Sequence, residues 1–162
     1  FETIFFSEVF ESCQPHYSNL KVQSLDEFGK WIKGKILEGY KIIAYSTLEG
    51  TVLLPLVSND DISYWYRDAH KYFKYHSRIW IGVRRPRPFS LSSVLERLGI
   101  DERQYGNQQA SQRIKSAKEQ LIRRGNYNKL TPTAKAKLTK VIRYNEDDVC
   151  CLRKAILASF EI

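Results

Sequence analysis

The chain has 162 residues, 43% of them apolar and 27% charged, values that fit one globular domain and exclude a disordered chain. Lys and Arg number 26 against 18 Asp and Glu, for a net charge of +8, a balance that favours a polyanionic partner. The longest apolar run, Thr51 to Val57, contains a proline and falls far short of the roughly 18–20 residues of a membrane helix, so such a helix is excluded.

Thr3 to Phe10 is aromatic and β-branched enough to predict a strand, and Leu20 to Val22 a second. Ser24-Leu25-Asp26-Glu27 is a capping box. It opens a helix with Leu25, Phe28, Trp31, Ile32 and Ile36 at helical spacing, ended by Gly39. Lys41 to Tyr45 reads as a short apolar strand, central in a sheet. Thr47 can cap the next short helix, and Asn59 or Asp60 another with Ile62, Trp65, Ala69 and Tyr72 on one face. Arg78 to Val83 reads as a strand. Ser90 starts a helix through Leu98 that Gly99 terminates. Two long helices follow. The first runs from about Gln108 to Arg124, and the second is announced by Thr131 as N-cap and Pro132 at the first helical position. The fold class is therefore α/β, a small sheet in the first half and a basic helical second half.

The positive charge is concentrated. From Ser111 to Arg143 ten basic residues stand against one acid, Glu119, so this stretch carries +9 and the rest of the chain about −1. Arg113, Lys115, Lys118, Arg123, Arg124, Lys137 and Lys140 are the candidate phosphate contacts, joined by Arg84 and Arg85 of the Arg84-Arg85-Pro86-Arg87-Pro88 knot. A helix kept soluble by charge alone mixes signs, so the near-absence of acids favours a polyanion over a merely solvated face. Tyr64, Trp65, Tyr66, Tyr72, Phe73 and Tyr75 form an aromatic cluster that either packs in the core or stacks on single-stranded bases. His16, His70 and His76 show no metal-ligand spacing. No Gly-rich phosphate loop is present. Cys13, Cys150 and Cys151 are odd in number and lack paired metal spacing, which predicts small apolar residues in a reducing, cytoplasmic compartment. There is no Met, and position 1 is Phe, so residues are expected upstream.

Chemistry concentrates in Tyr144-Asn145-Glu146-Asp147-Asp148. Tyr144 and Asp148 are i and i+4 on one helix face. A carboxylate one turn from a phenol can hold a divalent cation while the phenol orients a water for attack on a phosphodiester.

The segment Leu130 to Leu152 resembles the C-terminal motif of ribonuclease H-like (DnaQ-like) 3′–5′ exonucleases of the DEDDy type, in particular nucleases related to or fused with RecB-like and helicase proteins. Ile42-Ile43-Ala44-Tyr45-Ser46-Thr47-Leu48-Glu49 resembles the second motif of that family. Pro88 to Gly99 looks like its helix before a long insertion. The resemblance covers about residues 41–157. It implies a single ribonuclease H-like domain over 1–162, a two-metal Mg²⁺ or Mn²⁺ site held by Glu2, Glu49 and Asp148, and Tyr144 as the catalytic phenol. It also implies single-stranded DNA or RNA as partner and a helicase or nuclease partner domain. The departure is the first motif. The family carries Asp-x-Glu-Thr, and Phe1-Glu2-Thr3 fits only if an Asp stands before Phe1. Two readings follow, a metal-dependent nuclease or a catalytically impaired nucleic-acid-binding or assembly module on the same fold, and a third, a basic domain that binds another protein's acidic surface, stays open beside them.

Overall fold

The computed structural model describes residues 3–45, 47–57, 62–76, 78–84, 86, 89–100 and 110–160, with side chains for all of these except 3, 47–49, 62, 76, 110 and 111. Glu2, Arg85, the Glu49 side chain and the expected caps Asn59, Asp60 and the Thr47 side chain lie outside the described residues. In chain order the elements are β1 (Thr3–Phe5), a 3₁₀ helix (Glu8–His16), β2 (Leu20–Val22), α1 (Leu25–Leu37), β3 (Ile42–Ala44) and α2 (Thr47–Val57). Then come α3 (Ile62–Trp65), β4 (Tyr66–Asp68), α4 (Ala69–Lys71), a π-helical turn (Tyr72–His76) and a 3₁₀ turn (Arg78–Trp80). The chain continues with α5 (Leu91–Arg97), α6 (Ala110–Arg124), a 3₁₀ turn (Tyr127–Lys129) and α7 (Pro132–Ser159). The protein is a mixed α/β chain, mostly helical, with two small parallel sheets among the described residues. β1 pairs β2 with Thr3 opposite Leu20, and β3 pairs β4 with Ile42 opposite Tyr66. Parallel neighbours need a crossover of a dozen or more residues. The 3₁₀ helix lies in the first crossover, α2 and α3 in the second.

The residues gather into two compact units, Phe1–Ser24 with Arg103–Val149 and Leu25–Glu102 with Cys150–Ile162. The first is built on a helical hairpin: the long helix α6, a turn with Gly125 at φ 76°, and the long helix α7. Its core joins Phe10, Cys13 and Leu20 to Ala117 and Leu121 of α6 and Ala134, Leu138 and Ile142 of α7. Tyr17 fastens the 3₁₀ helix to the hairpin, its Oη 2.9 Å from Thr139 Oγ1 and 3.1 Å from Tyr127 Oη. His16 stacks on Tyr127 with ring centroids 4.1 Å apart. As predicted, Thr131 caps α7, its Oγ1 accepting from the Ala134 N–H at 3.2 Å.

The second unit holds two apolar clusters. One is local, with Ile32, Val57, Trp65 and Tyr66 packed by Phe28, Ile42 and Leu53. Gly29 lets α1 lie close on α2; a Cβ there would stand 3.2 Å from the Leu56 carbonyl oxygen. The other cluster gathers Phe73, Ile79, Trp80, Val94 and Leu95 with Cys151 and Ala155 of α7. Ser90 and Ser93 form a reciprocal capping box on α5, and Gly99 ends it at φ 69°.

Three sequence expectations are corrected. The strand expected over Thr3–Phe10 stops at Phe5, because Phe10 and Cys13 share one core. Their odd spacing would put them on opposite faces of a strand, whereas three residues complete a 3₁₀ turn. The strand expected over Arg78–Val83 is a 3₁₀ turn. Ile79 and Trp80 are adjacent and both buried, with the Trp80 indole donating to the Phe73 carbonyl at 3.0 Å. The single helix expected through Ile62, Trp65, Ala69 and Tyr72 is broken by β4, which pairs with β3. Asp68 then caps α4 by accepting from the Lys71 N–H.

Candidate nucleic-acid interface and acidic helix turn

The basic stretch forms the hairpin of the first unit. Between α6 and α7 runs a groove of about 540 Å³ lined by Gln112, Arg113, Ser116, Thr133, Ala136, Lys137 and Lys140. The α7 side is a stripe at i, i+3, i+4 and i+7, so the four side chains share one face. Small residues (Ser116, Thr133, Ala136) open the groove, and three cations flank it. Among the described residues no carboxylate lines it. Arg113, Lys137 and Lys140 of the predicted contacts are thus brought together. Arg123, exposed, lies two turns beyond Ser116 on the same face of α6. Lys115 and Lys118 are exposed but do not line the groove. Arg124 donates from Nη1 to the Lys129 carbonyl at 3.0 Å, bracing the turn. Arg84 is exposed in the second unit. Sequence reasoning passed over Gln112, Ser116 and Thr133, hydrogen-bond donors of the groove. Their signal was the register they share with the cations.

The same face of α7 continues past the groove. At 100° per residue Thr133, Lys137, Lys140, Tyr144 and Asp148 fall within an arc of about 80°. Tyr144 follows Lys140 by one turn, about 6 Å of rise, and Asp148 follows Tyr144 by another. Tyr144, Asp147 and Asp148 are half-buried. One helical face therefore carries two cations, then a phenol, then a carboxylate.

Glu49 belongs to the first turn of α2, directly after β3. It is grouped with the second unit, whereas Tyr144 and Asp148 are grouped with the first. Three hard oxygen donors such as Glu2, Glu49 and Asp148 suit Mg²⁺ or Mn²⁺. Of that set only the Asp148 side chain is among those described, and among the described residues no three His, Cys, Asp or Glu are gathered to hold a metal.

The aromatic cluster divides. Trp65, Tyr66 and Phe73 are core, while Tyr64 and Tyr75 are exposed. His70 packs edge-on against Tyr45 and Phe89. Burial pushes the Cys13 thiol up to about 11 against a weaker opposing hydrogen bond from Ser12. Desolvation and its contact with Tyr17 also push the Tyr127 phenol up. Cys150 is exposed, Cys151 buried. Among the described residues no helix is long and apolar enough to cross a membrane. Comparison with protein families, curated proteins and solved structures gives no match to this chain.

Proposed function

We propose that the chain is a metal-dependent phosphodiesterase of the 3′–5′ exonuclease kind, on a ribonuclease H-like fold, acting on DNA or RNA. The observation that carries this reading is the face of α7, on which Lys137 and Lys140 precede Tyr144 and Asp148 in one register. The β3–α2–α3–β4 order with parallel pairing, and Glu49 in the first turn after β3, support the fold.

In this reading Arg113, Lys137 and Lys140 hold backbone phosphates without regard to sequence. The strand then lies along α7 with a scissile phosphate near Tyr144. The Tyr144 phenol, a donor and acceptor, orients the attacking water in line with the leaving oxygen. Asp148, with Glu2 and Glu49, would hold Mg²⁺ or Mn²⁺, which when bound supplies water activation and stabilises the leaving oxygen. Cleavage adds the water oxygen to phosphorus and breaks the P–O bond to the leaving sugar; the attacking water gives up a proton to solvent, and the leaving sugar oxygen takes one from solvent to become a hydroxyl.

The test is a labelled single strand incubated with Mn²⁺. Asp148→Asn and Tyr144→Phe should each abolish shortening of the strand while leaving strand binding nearly unchanged, with far-UV circular dichroism showing each variant folded. Full activity in either variant removes that residue from the site. A second reading, a binding module on the same fold, is favoured by one observation: the described lining of the groove is made of cations and small or neutral polar residues. Strand binding with no cleavage at any Mn²⁺ concentration would establish it.

A further inference from the structure

A second groove, in the second unit, faces outward from α1 and β3. It measures about 470 Å³, and Phe28, Trp31, Ile32, Tyr40, Ile42 and Leu53 make it almost wholly apolar. Trp31 is 54% exposed and Tyr40 60%, so two large rings stand in water at the mouth of an apolar slot. Such a surface marks a binding site more often than an accident of packing. Phe28 and Trp31 stack nearly parallel, centroids 5.8 Å apart and planes 21° apart, which leaves the indole presented as a flat platform.

The rim supplies the chemistry. Lys35 and Lys41 both line the groove. Lys35 Nζ lies 5.1 Å from the Tyr40 ring centroid and is paired with Glu38 at 2.6 Å. Lys41 Nζ sits 3.6 Å from the Tyr64 ring centroid and donates to the Tyr64 carbonyl at 2.5 Å. An ammonium has three donors, so Lys41 keeps donor capacity beyond the Tyr64 carbonyl, and among the described residues no carboxylate pairs with it. Flat exposed rings beside an available cation match one ligand chemistry, an unpaired base with its phosphate. The walls carry few hydrogen-bonding groups, so recognition there would be by stacking and tolerant of base identity.

We propose that this groove stacks an unpaired base of a single-stranded nucleic acid on Trp31, with Lys41 at the adjoining phosphate. The inference rests on the nucleic-acid reading above and adds strand selectivity to it, since duplex bases are already stacked and cannot enter.

The experiment titrates a short oligothymidylate into the full chain and follows tryptophan fluorescence and anisotropy of a labelled strand together. Trp65 is 1% exposed and Trp80 9%, so quenching by a stacked base reports Trp31. Wild type should quench on binding. Trp31→Phe should keep affinity within about twofold and lose the quench. Trp31→Ala should weaken single-strand binding about tenfold or more, with duplex binding and thermal midpoint unchanged. Lys137→Gln with Lys140→Gln should weaken both ligands. Single-strand binding without quench, equal in wild type and Trp31→Ala but lowered by the α7 variant, overturns this proposal alone and leaves the groove to an apolar protein partner. A wild type that binds neither strand form overturns both readings.

Discussion

Replacing Lys137 and Lys140 together by Gln removes two of the three cations that flank the α6–α7 groove. Each neutralised phosphate contributes a slope of about −0.7 to log K against log salt on a single strand and about −0.9 on a duplex. Three cations therefore account for about −2.1 on a single strand, and the variant should lose about 1.4 of it. Between 50 and 200 mM salt the logarithm rises by about 0.6, so the two lysines carry roughly sevenfold of the wild type's loss of affinity across that range. Gln and Lys have similar helix propensities, and neither lysine is buried, so the thermal midpoint should hold. Anisotropy titrations of a labelled single strand at four salt concentrations measure the slope directly. An unchanged slope in the folded variant would show that the groove does not meet phosphates, and the strand could not then run along α7 to Tyr144.

Thr131→Ala removes the oxygen that accepts from Ala134 N–H and the contact with Gln120 Oε1. It should cost about 1 kcal/mol in urea unfolding, and Thr131→Ser should recover most of it. Cys13 gives a pH signature. Its folded pKa of about 11 lies above the ordinary 9.0, so below pH 9 both states are protonated and its contribution is complete. As pH rises from about 9 to about 11 only the unfolded thiol ionises, and on the order of 2–3 kcal/mol is lost. Urea midpoints compared near pH 8 and near pH 10.5 should fall in wild type and fall less in Cys13→Ala; equal falls would place the effect elsewhere.

Helix ends were the most legible features of the fold. Thr131-Pro132 before α7, Ser90 before α5, and Gly39 and Gly99 after α1 and α5 each act through a local hydrogen bond or a positive φ, and local rules read local geometry. The strands were read less well because each is only three residues long and its existence depends on a distant partner. Nothing in Tyr66-Arg67-Asp68 alone separates a strand from a continuing helix; pairing with Ile42–Ala44 decides it. Ile79 and Trp80 mislead for the same reason, since a β-rich composition says nothing about which neighbour buries two adjacent side chains. At the candidate site, the Tyr144–Asp148 spacing and the concentration of charge could be read directly. That Lys137 and Lys140, but not Lys115 or Lys118, border one groove required the packing of α6 on α7.

The allocation of α7 has a consequence for how the chain assembles as it is made. Leu138 and Ile142 belong to one core with Phe10 and Leu20, while Cys151 and Ala155 belong to another with Phe73 and Val94. Both cores draw on residues far apart along the chain, and contacts of that kind close late. The cluster of Ile32, Val57, Trp65 and Tyr66 draws only on the stretch between Phe28 and Tyr66. On a ribosome adding about 5–20 residues per second, that cluster can form first, while the cores around Phe10 and Phe73 are each completed only when one helix, α7, has emerged.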